Sequence, residues 1–324
     1  VLAGLDIAEQ RAPQDGGFTY TVAVEGSEPI DLRAATLPTN HGERATLRLL
    51  GTHAGELTLD TLGMSASAFR QFETEIHRPH GILMLTGPTG SCKSTTLYAA
   101  LRVLNRPEVN IVTVEDPIEY KIPGVSQVHV GGGDKVTFAG AIRSILRNDP
   151  DIIMIGEVRD PETADIALKA AMTGHLVLST LHTNSAAGAL TRLLDLGCEP
   201  YRVGASLIGV IAQRLVRRLC PRCLTWRAAD EREAAAMGVE EAEVPVPVGC
   251  ARCQGRGFAG RIGIFEMLWI DEELARLLAR GVPEGELRAA ARDRVELLRT
   301  DGFEKVRAGV TTVDEVLWAT VAEE

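Results

Sequence analysis

The chain has 324 residues with 45% hydrophobic and 24% charged side chains, the balance of a globular protein long enough for two domains. Its formal net charge of −10 disfavours a surface built mainly to follow nucleic acid, because lysine and arginine dominate such surfaces. The longest apolar runs are strand-sized, well short of the roughly 20 residues of a membrane-spanning helix, and no signal-peptide pattern opens the sequence. Because Val1 lies within what looks like ordinary structure, we expect a fragment of a longer protein.

The first part of the chain has the pattern of short strands. FTYTVAV and ATLRLL are apolar or alternating and rich in threonine and valine, and the turn-rich TLPTNHGE precedes the second of them. This pattern predicts a small, mostly β or α/β domain over residues 1–50, incomplete at its start. A looser linker is predicted over residues 51–80, with a helix around ASAFRQFETEI.

Beyond residue 80, four short apolar segments alternate with helix-sized segments. The predicted strands are ILMLT (82–86), IVTVE (111–115), IIMIG (152–156) and LVLSTL (176–181). Continuous apolar strands separated by amphipathic helices such as PETADIALKAAM indicate a parallel sheet with helices on both faces. Ligands of such sheets bind at the carboxyl ends of the strands.

A phosphate-loop pattern follows the first of these strands. GPTGSCKS (87–94) matches G-x-x-x-x-G-K-[ST] except at Cys92, and its backbone N–H groups with the next helix N-terminus would cradle an anion. Lys93 would reach the β- and γ-phosphates, and the Ser94 hydroxyl would bind Mg²⁺. The predicted nucleotide-binding residues are Gly87, Pro88, Thr89, Gly90, Ser91, Cys92, Lys93, Ser94 and Thr95.

Cys92 is the departure from this pattern. Glycine at its position provides a backbone conformation that is costly for other residues, and it allows close approach to phosphate. A side chain there costs on the order of 1–3 kcal/mol, which is roughly tenfold to hundredfold in affinity. We expect weakened nucleotide binding, and the alternative is a protein that no longer hydrolyses nucleotide.

Carboxylates and histidines follow the later strands. Glu115, Asp116 and Glu119 cluster after the second strand, where acids are costly unless they face Mg²⁺, water or arginine. Glu157 follows the third strand and can serve the metal or its water shell. His182 lies at the ligand-facing end of the fourth strand, where phosphate sensing and a structural role are both open.

Four motifs carry a resemblance to a known family. The phosphate loop, VEDPIEY (an Asp box), RNDPDIIMIGEVRDPETADIAL (a Walker B region) and TGHLVLSTLHTNSA (a His box) occur in the order and spacing of the ATPases of type II secretion and type IV pilus assembly. Nearly the whole chain resembles that family. The resemblance implies an α/β fold with a RecA-like P-loop ATPase domain over residues 81–324, preceded by a small PAS-like domain.

The resemblance also implies an assembly and a set of roles. The chain would form a homo-hexamer in the cytoplasm, peripheral to the inner membrane, together with an inner-membrane platform protein and a cytoplasmic adaptor. Glu119 would position the attacking water, Glu157 would be the Walker B glutamate, and His182 belongs to the His box. Arg33 and Arg48 of the small domain would bring positive charge to the γ-phosphate, as phosphoryl transfer requires. The alternative for both arginines is a solvated strand residue.

Two C-x-x-C pairs, Cys220 with Cys223 and Cys250 with Cys253, are separated by 26 residues. Two such pairs suit a closed, structural Zn²⁺ site, and they predict a zinc-binding subdomain over residues 218–268, followed by C-terminal helices over 271–324. The alternative is unmetallated or redox-active thiols. In the family that this chain resembles, the quartet is common in assembly and secretion ATPases and generally missing from retraction ATPases, which favours assembly or export.

A local basic cluster surrounds the cysteines. Its members are Arg214, Arg217, Arg218, Arg222, Arg252, Arg256 and Arg261. One hypothesis is that it docks the ring against acidic lipid headgroups or an acidic partner surface. The alternative is solvated arginines and internal ion pairs with the acidic segment ADEREAAAMGVEEAE.

Three functions are compatible with these observations. The leading one is a Mg²⁺-dependent ATPase motor, with ATP, Mg²⁺ and Zn²⁺ as ligands, that powers type IV pilus assembly or type II secretion. The second is a ring protein inactivated at Cys92 that serves as a structural or regulatory subunit. The third, a nucleic-acid motor, is disfavoured by the acidic balance and by an aromatic content of only 4%, so no nucleic-acid partner is expected.

Overall fold

The computed structural model describes residues 2–21, 30–50, 58–131 and 137–321. Its strands, in chain order, are β1 (Gln14–Tyr20), β2 (Ile30–Thr39), β3 (Gly42–Leu50), β4 (Gly81–Thr86), β5 (Ile111–Glu115), β6 (Ser126–His129), β7 (Ile152–Ile155), β8 (Leu176–Leu181), β9 (Leu207–Leu219), β10 (Leu224–Ala228), β11 (Glu243–Pro247) and β12 (Phe258–Trp269).

The helices surround these strands, and no helix of the described residues is both long and apolar enough to cross a bilayer. In chain order they are α1 (Ala66–Ile76), α2 (Lys93–Leu104), α3 (Phe138–Ile145), α4 (Pro161–Met172), α5 (Ala186–Asp195), α6 (Pro200–Ser206), α7 (Glu231–Met237), α8 (Glu272–Arg280), α9 (Glu284–Arg292), α10 (Leu298–Arg307) and α11 (Val313–Thr320).

A seven-stranded sheet with the order β12-β9-β4-β8-β7-β5-β6 forms the centre of the fold. All neighbouring pairs are parallel except β12 with β9. Every residue of β4, β7 and β8 is buried, because helices cover both faces. Ile82 and Met84 pack into a core with α3, α4 and α5, whereas Leu83 and Leu85 pack on the opposite face with α1 and α2. The predicted α/β fold with a mostly parallel sheet is confirmed.

The long antiparallel pair of β9 and β12 was not predicted from the sequence. β9 places an entirely buried half, up to Arg214, beside β4. Its second half includes the exposed Arg217 and Arg218 and ends at the buried Leu219, next to Cys220. β12 returns along β9 to the sheet edge, so residues 258–268 belong to the central sheet. The cysteine-bearing segment between them contains the β10–β11 hairpin and α7.

A separate three-stranded antiparallel sheet, β1-β2-β3, is formed by the N-terminal part of the chain. Its β2–β3 turn falls within the predicted TLPTNHGE segment. The first three residues of the predicted strand FTYTVAV form the end of β1, whereas residues 22–24 lie outside the described residues. Within the segment predicted as a linker, α1 buries Phe72 and Ile76 completely in the core beside β4. That helix is therefore a layer of the central fold.

Candidate active site

The phosphate-loop segment connects the carboxyl end of β4 to the N-terminus of α2. Gly87 has a φ of +147°, and a Cβ at this position would lie 2.5 Å from the carbonyl oxygen of Gln213. The loop therefore begins tightly against β9, and only glycine allows this approach. The strand, turn and helix arise as the sequence pattern predicted.

Cys92 is the residue that precedes α2, and its backbone is left-handed, with φ 62° and ψ 34°. A residue with a Cβ adopts this conformation at a cost of roughly 1–2 kcal/mol, which glycine avoids. The structure thus gives the physical reason for the glycine in the common pattern. The half-buried Cys92 side chain lines the cleft in front of the loop.

Lys93 is folded over the loop. Its ammonium group donates hydrogen bonds to the carbonyl oxygens of Gly87 (2.8 Å) and Pro88 (3.2 Å), and the residue is only 8% exposed. The pKa of Lys93 is lowered to about 8, mainly by burial and also by the charge of Arg214, whereas Glu157 and Cys92 act in the opposite direction. A buried ammonium among N–H groups favours an anionic ligand at this place.

The Ser91 hydroxyl is a second polar group of the loop that suits a ligand. It is buried and makes no hydrogen bond to any described residue. A buried hydroxyl without a partner is costly, and most such groups are satisfied by protein, water or ligand. Together with Lys93 and the helix N-terminus, this group fits the oxygen-rich phosphate chain of a nucleotide.

A cleft of about 640 Å³ opens in front of the loop, a volume in the range of small-molecule and cofactor sites. Most of the predicted site residues line it. They are Arg48, Thr89, Gly90, Ser91, Cys92, Lys93, Ser94, Thr95, Glu119, Glu157 and His182. Arg159, which the sequence offers as a weaker candidate for a site arginine, also lines the cleft. So do Tyr120, Phe138 and Arg261, which no sequence pattern assigned to the site.

Glu157 lies between the side chains of Arg159 and His182. Its carboxylate is 2.5 Å from a guanidinium nitrogen of Arg159 and 3.4 Å from Nε2 of His182, and its side chain is only 11% exposed. β7 and β8 are neighbours in the sheet, so the residues that follow them meet at the same edge. His175, at the start of β8, instead contacts the carbonyl oxygen of Ala170 through Nδ1 at 2.9 Å and has a structural role.

Glu115 differs from the two acids that follow it. Its buried carboxylate accepts hydrogen bonds from the hydroxyl of Tyr98, from Thr113 (2.5 Å) and from Gln127 (3.1 Å). With these partners it needs no metal, and its charge together with burial raises the pKa of Tyr98. Glu115 therefore supports the fold, and the exposed Asp116 and Glu119 remain for the cleft.

Tyr98 connects this buried group to Glu119. The backbone N–H of Glu119 donates to the Tyr98 oxygen (3.2 Å), and the Tyr98 ring stacks on Tyr120 with centroids 4.1 Å apart. α2 thus fixes the backbone of the Asp box relative to the phosphate loop. No sequence pattern indicated this role of Tyr98.

Arg33 and Arg48 occupy directly opposite positions on β2 and β3, so their side chains share one face of the small sheet. Arg48 lines the cleft. Arg33 forms an ion pair with Asp15, which raises the pKa of the Arg33 guanidinium, with smaller contributions from Asp116 and Glu119. The cationic face of the small sheet is therefore turned towards the acids of the cleft.

The four cysteines form a compact group in the segment between β9 and β12. Their sulfur atoms all lie within 4.8 Å of one another, and the contacts between Cys220 and Cys250 and between Cys223 and Cys253 measure 3.9 and 3.8 Å. A tetrahedral site with Zn–S bonds of about 2.3 Å places its sulfurs about 3.8 Å apart. The quartet therefore has the dimensions of a zinc site.

The arginines around the quartet do not form one exposed patch. Arg214 is only 6% exposed and lies beneath the phosphate loop. Arg217 pairs with Glu315 of α11 at 2.6 Å and stacks over Phe258. The alternative interpretation expected partners from the acidic segment around α7. The partner of Arg217 comes instead from the C-terminal helices. The remaining members are exposed: Arg218, Arg222, Arg252, Arg256 and Arg261.

Comparison with known proteins identifies the family to which this chain belongs. The family described as type II/IV secretion system protein matches residues 1–318. The chain belongs to this family. Type II secretion system protein E of Pseudomonas aeruginosa is 50% identical over 326 residues, and type II secretion system ATPase E of Vibrio cholerae is 47% identical over 323. The two alignments cover 100% and 99% of this chain but only 64% of each relative. The predicted family resemblance is confirmed.

Solved structures of secretion and pilus ATPases share the fold of this family member. The pilus retraction motor PilT with bound ADP is similar with a TM-score of 0.68 and 28% identity, over 94% of this chain and 77% of that chain. The ATPase DotB of Legionella pneumophila gives a TM-score of 0.70 over 97% of this chain and 78% of that chain, at 23% identity. The second likeness concerns the fold alone.

Proposed function

We propose that this chain is the ATP-hydrolysing part of a motor for type II secretion or type IV pilus assembly. The observation that carries the proposal is the convergence of the phosphate loop, Glu157, His182 and Arg48 on one cleft of about 640 Å³. Support comes from a relative named as a secretion ATPase at 47% identity and from a solved relative, 28% identical, that holds ADP.

The residues of the cleft divide the work of phosphoryl transfer. The loop N–H groups and Lys93 bind the β- and γ-phosphates. Ser94 and Glu157 would hold Mg²⁺, which when bound neutralises charge on the phosphate oxygens. Glu119 accepts a hydrogen bond from the attacking water and orients it towards the γ-phosphate. Arg48 stabilises the charge that develops on the γ-phosphate oxygens.

Two flanking groups refine this arrangement. Asp15 holds Arg33 beside Arg48, so that the small sheet presents a pair of cations. His182, in contact with Glu157, lies where it can donate a hydrogen bond to a phosphate oxygen. Because one carboxylate contacts both Arg159 and His182, a change in phosphate occupancy would alter the position of all three side chains.

We also propose the architecture and assembly that the family resemblance implies. The central domain would be RecA-like, the N-terminal sheet would belong to a PAS-like domain, and six copies would form a ring that acts on an inner-membrane platform protein through a cytoplasmic adaptor. The cationic pair on the small sheet supports this proposal, because a separate domain then completes the site. The quartet would hold Zn²⁺, which favours assembly or export over retraction.

The deciding experiment measures binding and steady-state hydrolysis of Mg-ATP under conditions that permit hexamers. We expect slow hydrolysis by the chain, a rate roughly tenfold higher for Cys92→Gly because backbone strain is relieved, and binding without turnover for Glu157→Gln. Glu162→Gln, which alters an exposed ion pair with Arg143, is the matched control and keeps the parent rate. Binding without turnover by both the chain and Cys92→Gly would instead indicate the inactive ring protein.

A further inference from the structure

Glu119, the residue proposed to orient the attacking water, lies in a loop that contains no helix or strand. This loop, residues 116–122, directly follows β5, and the Glu119 side chain is exposed. Reaction rates depend steeply on the position of such a group, since a displacement of about 1 Å can cost on the order of a hundredfold in rate. A carboxylate in this loop can orient water only if other elements fix the loop backbone.

Side chains from two neighbouring elements hold the loop. On one side, Gln127 of β6 accepts a hydrogen bond from the N–H of Ile122 (2.7 Å) and donates one to the carbonyl oxygen of Tyr120 (3.1 Å). On the other side, the oxygen of Tyr98 in α2 accepts a hydrogen bond from the N–H of Glu119 (3.2 Å). Gln127 therefore fixes the end of the loop, whereas Tyr98 makes the contact at Glu119 itself.

Tyr98 is itself held firmly in the fold. The residue is fully buried, its ring stacks on Tyr120, and its hydroxyl donates a hydrogen bond to the buried carboxylate of Glu115. Burial and the charge of Glu115 raise the pKa of Tyr98, so the hydroxyl keeps its proton for this bond. The Tyr98 oxygen can then only accept from the N–H of Glu119, and the direction of both hydrogen bonds is defined.

The same tyrosine belongs to the helix that carries the phosphate loop. α2 begins at Lys93, and Tyr98 lies five residues further on, about 8 Å along the helix axis. A displacement of the helix N-terminus by bound phosphate would therefore also displace the Tyr98 hydroxyl. This contact connects the occupancy of the phosphate loop to the position of Glu119.

We propose that Tyr98 is a positioning residue for ATP hydrolysis, which holds the backbone of Glu119 at a fixed place relative to the phosphate loop. Tyr98 does not line the cleft and acts through Glu119. This inference rests on the proposed function, since it gives Glu119 the role of orienting the attacking water. Without the Tyr98 hydroxyl, nucleotide still binds to the phosphate loop but the water is poorly oriented, so kcat should fall while KM stays the same.

The test uses Tyr98→Phe, which keeps the stacked ring and removes the hydroxyl. Thr113→Val is the matched control, because it removes another hydrogen bond to the Glu115 carboxylate and leaves the contact with Glu119. The first measurement is hydrogen exchange of the Glu119 amide in the nucleotide-free chain, by mass spectrometry of overlapping peptides. The second is kcat and KM for Mg-ATP, in the parent background and in Glu119→Gln. Urea unfolding reports the folding of each variant.

We expect a protected Glu119 amide in the parent chain and in Thr113→Val, and exchange at least about tenfold faster in Tyr98→Phe. In the parent background, Tyr98→Phe should lower kcat about tenfold and leave KM within about twofold. In the Glu119→Gln background, it should change the remaining kcat by less than about twofold, because the residue through which it acts is already altered.

An unprotected Glu119 amide in the parent chain, or unchanged exchange in a folded Tyr98→Phe, overturns the proposal whether or not the chain hydrolyses ATP. A loss of kcat of the same size in both backgrounds also overturns it, because Tyr98 would then act independently of Glu119. Faster exchange in Tyr98→Phe, in a chain that does not hydrolyse Mg-ATP, supports the positioning of Glu119 by Tyr98 and refutes the proposed function instead.

Discussion

At the scale of single residues, the buried ammonium group of Lys93 lowers the free energy of unfolding of the nucleotide-free protein. The native state holds its ammonium buried with a pKa of about 8, below the ordinary value of 10.5. That difference corresponds to on the order of 3 kcal/mol of lost stability at neutral pH. The cost is present in full below pH 8 and disappears as the pH rises towards 10.5, because the native state releases its proton first.

Lys93→Met removes this cost together with two hydrogen bonds to loop carbonyls, each worth about 1 kcal/mol. We therefore expect the variant to be more stable than the parent chain by about 1 kcal/mol at pH 7, and to lose that advantage by pH 10. Urea unfolding at both pH values, without nucleotide, measures the difference. An advantage that grew with pH would contradict the assignment.

The strain at Cys92 is a second property of one residue. If it comes from the Cβ in a left-handed backbone, Cys92→Gly should raise the free energy of unfolding by about 1 kcal/mol. Cys92→Ala retains the Cβ and should stay close to the parent chain. Denaturant unfolding of the three proteins measures this, and a gain in the alanine variant equal to that in the glycine variant would assign the effect to the sulfur.

Local sequence patterns predicted the residues of the phosphate loop, but not the side chains that hold the surrounding groups in place. The phosphate loop consists of consecutive residues, so the sequence alone can predict the roles of Gly87, Cys92 and Lys93. Glu115 resembles a metal-binding acid in sequence, and only the fold shows that Tyr98 and Thr113 occupy its carboxylate. Contacts between residues that are distant in sequence leave no local pattern.

At the scale of elements, α10 is fixed to β12 by one buried carboxylate. Asp301 accepts a hydrogen bond from the N–H of Phe265 (2.8 Å) and pairs with Lys305 at 2.5 Å. Asp301→Ala would leave both groups without this partner, and we expect a loss of about 3–5 kcal/mol. Asp314→Ala breaks an exposed pair with Arg232 and should cost less than about 1 kcal/mol. Similar losses in urea unfolding would refute this assignment.

The elements that could be predicted are those whose burial is uniform. β4, β7 and β8 are buried along their whole length, and their sequences are short, mostly apolar runs. β9 changes from buried to half-exposed along its length, so its sequence LIGVIAQRLVRRL has no single period. Thr312 caps α11 by accepting a hydrogen bond from the N–H of Glu315, and the Glu315 carboxylate binds Arg217 of β9.

At the scale of the whole molecule, the cysteine quartet brings together the two ends of the segment that connects β9 to β12. We expect about one zinc ion per chain by elemental analysis and its loss in Cys253→Ser, with a fall in Tm on the order of 5–10 °C. Cys198 is buried elsewhere, so Cys198→Ala should keep the metal. Retention of full metal content by Cys253→Ser would refute the zinc site.

The order of the central sheet has a consequence for the chain during its synthesis. β4 carries the phosphate loop, yet both of its neighbours, β8 and β9, are made much later. At typical translation rates, on the order of 5 to 20 s pass between the emergence of β4 and that of β8. During that interval β4, a mostly apolar strand that is buried along its whole length in the folded protein, lacks both of its neighbouring strands. A ribosome-bound chain that stops before residue 176 exposes this strand to chaperones and to other nascent chains.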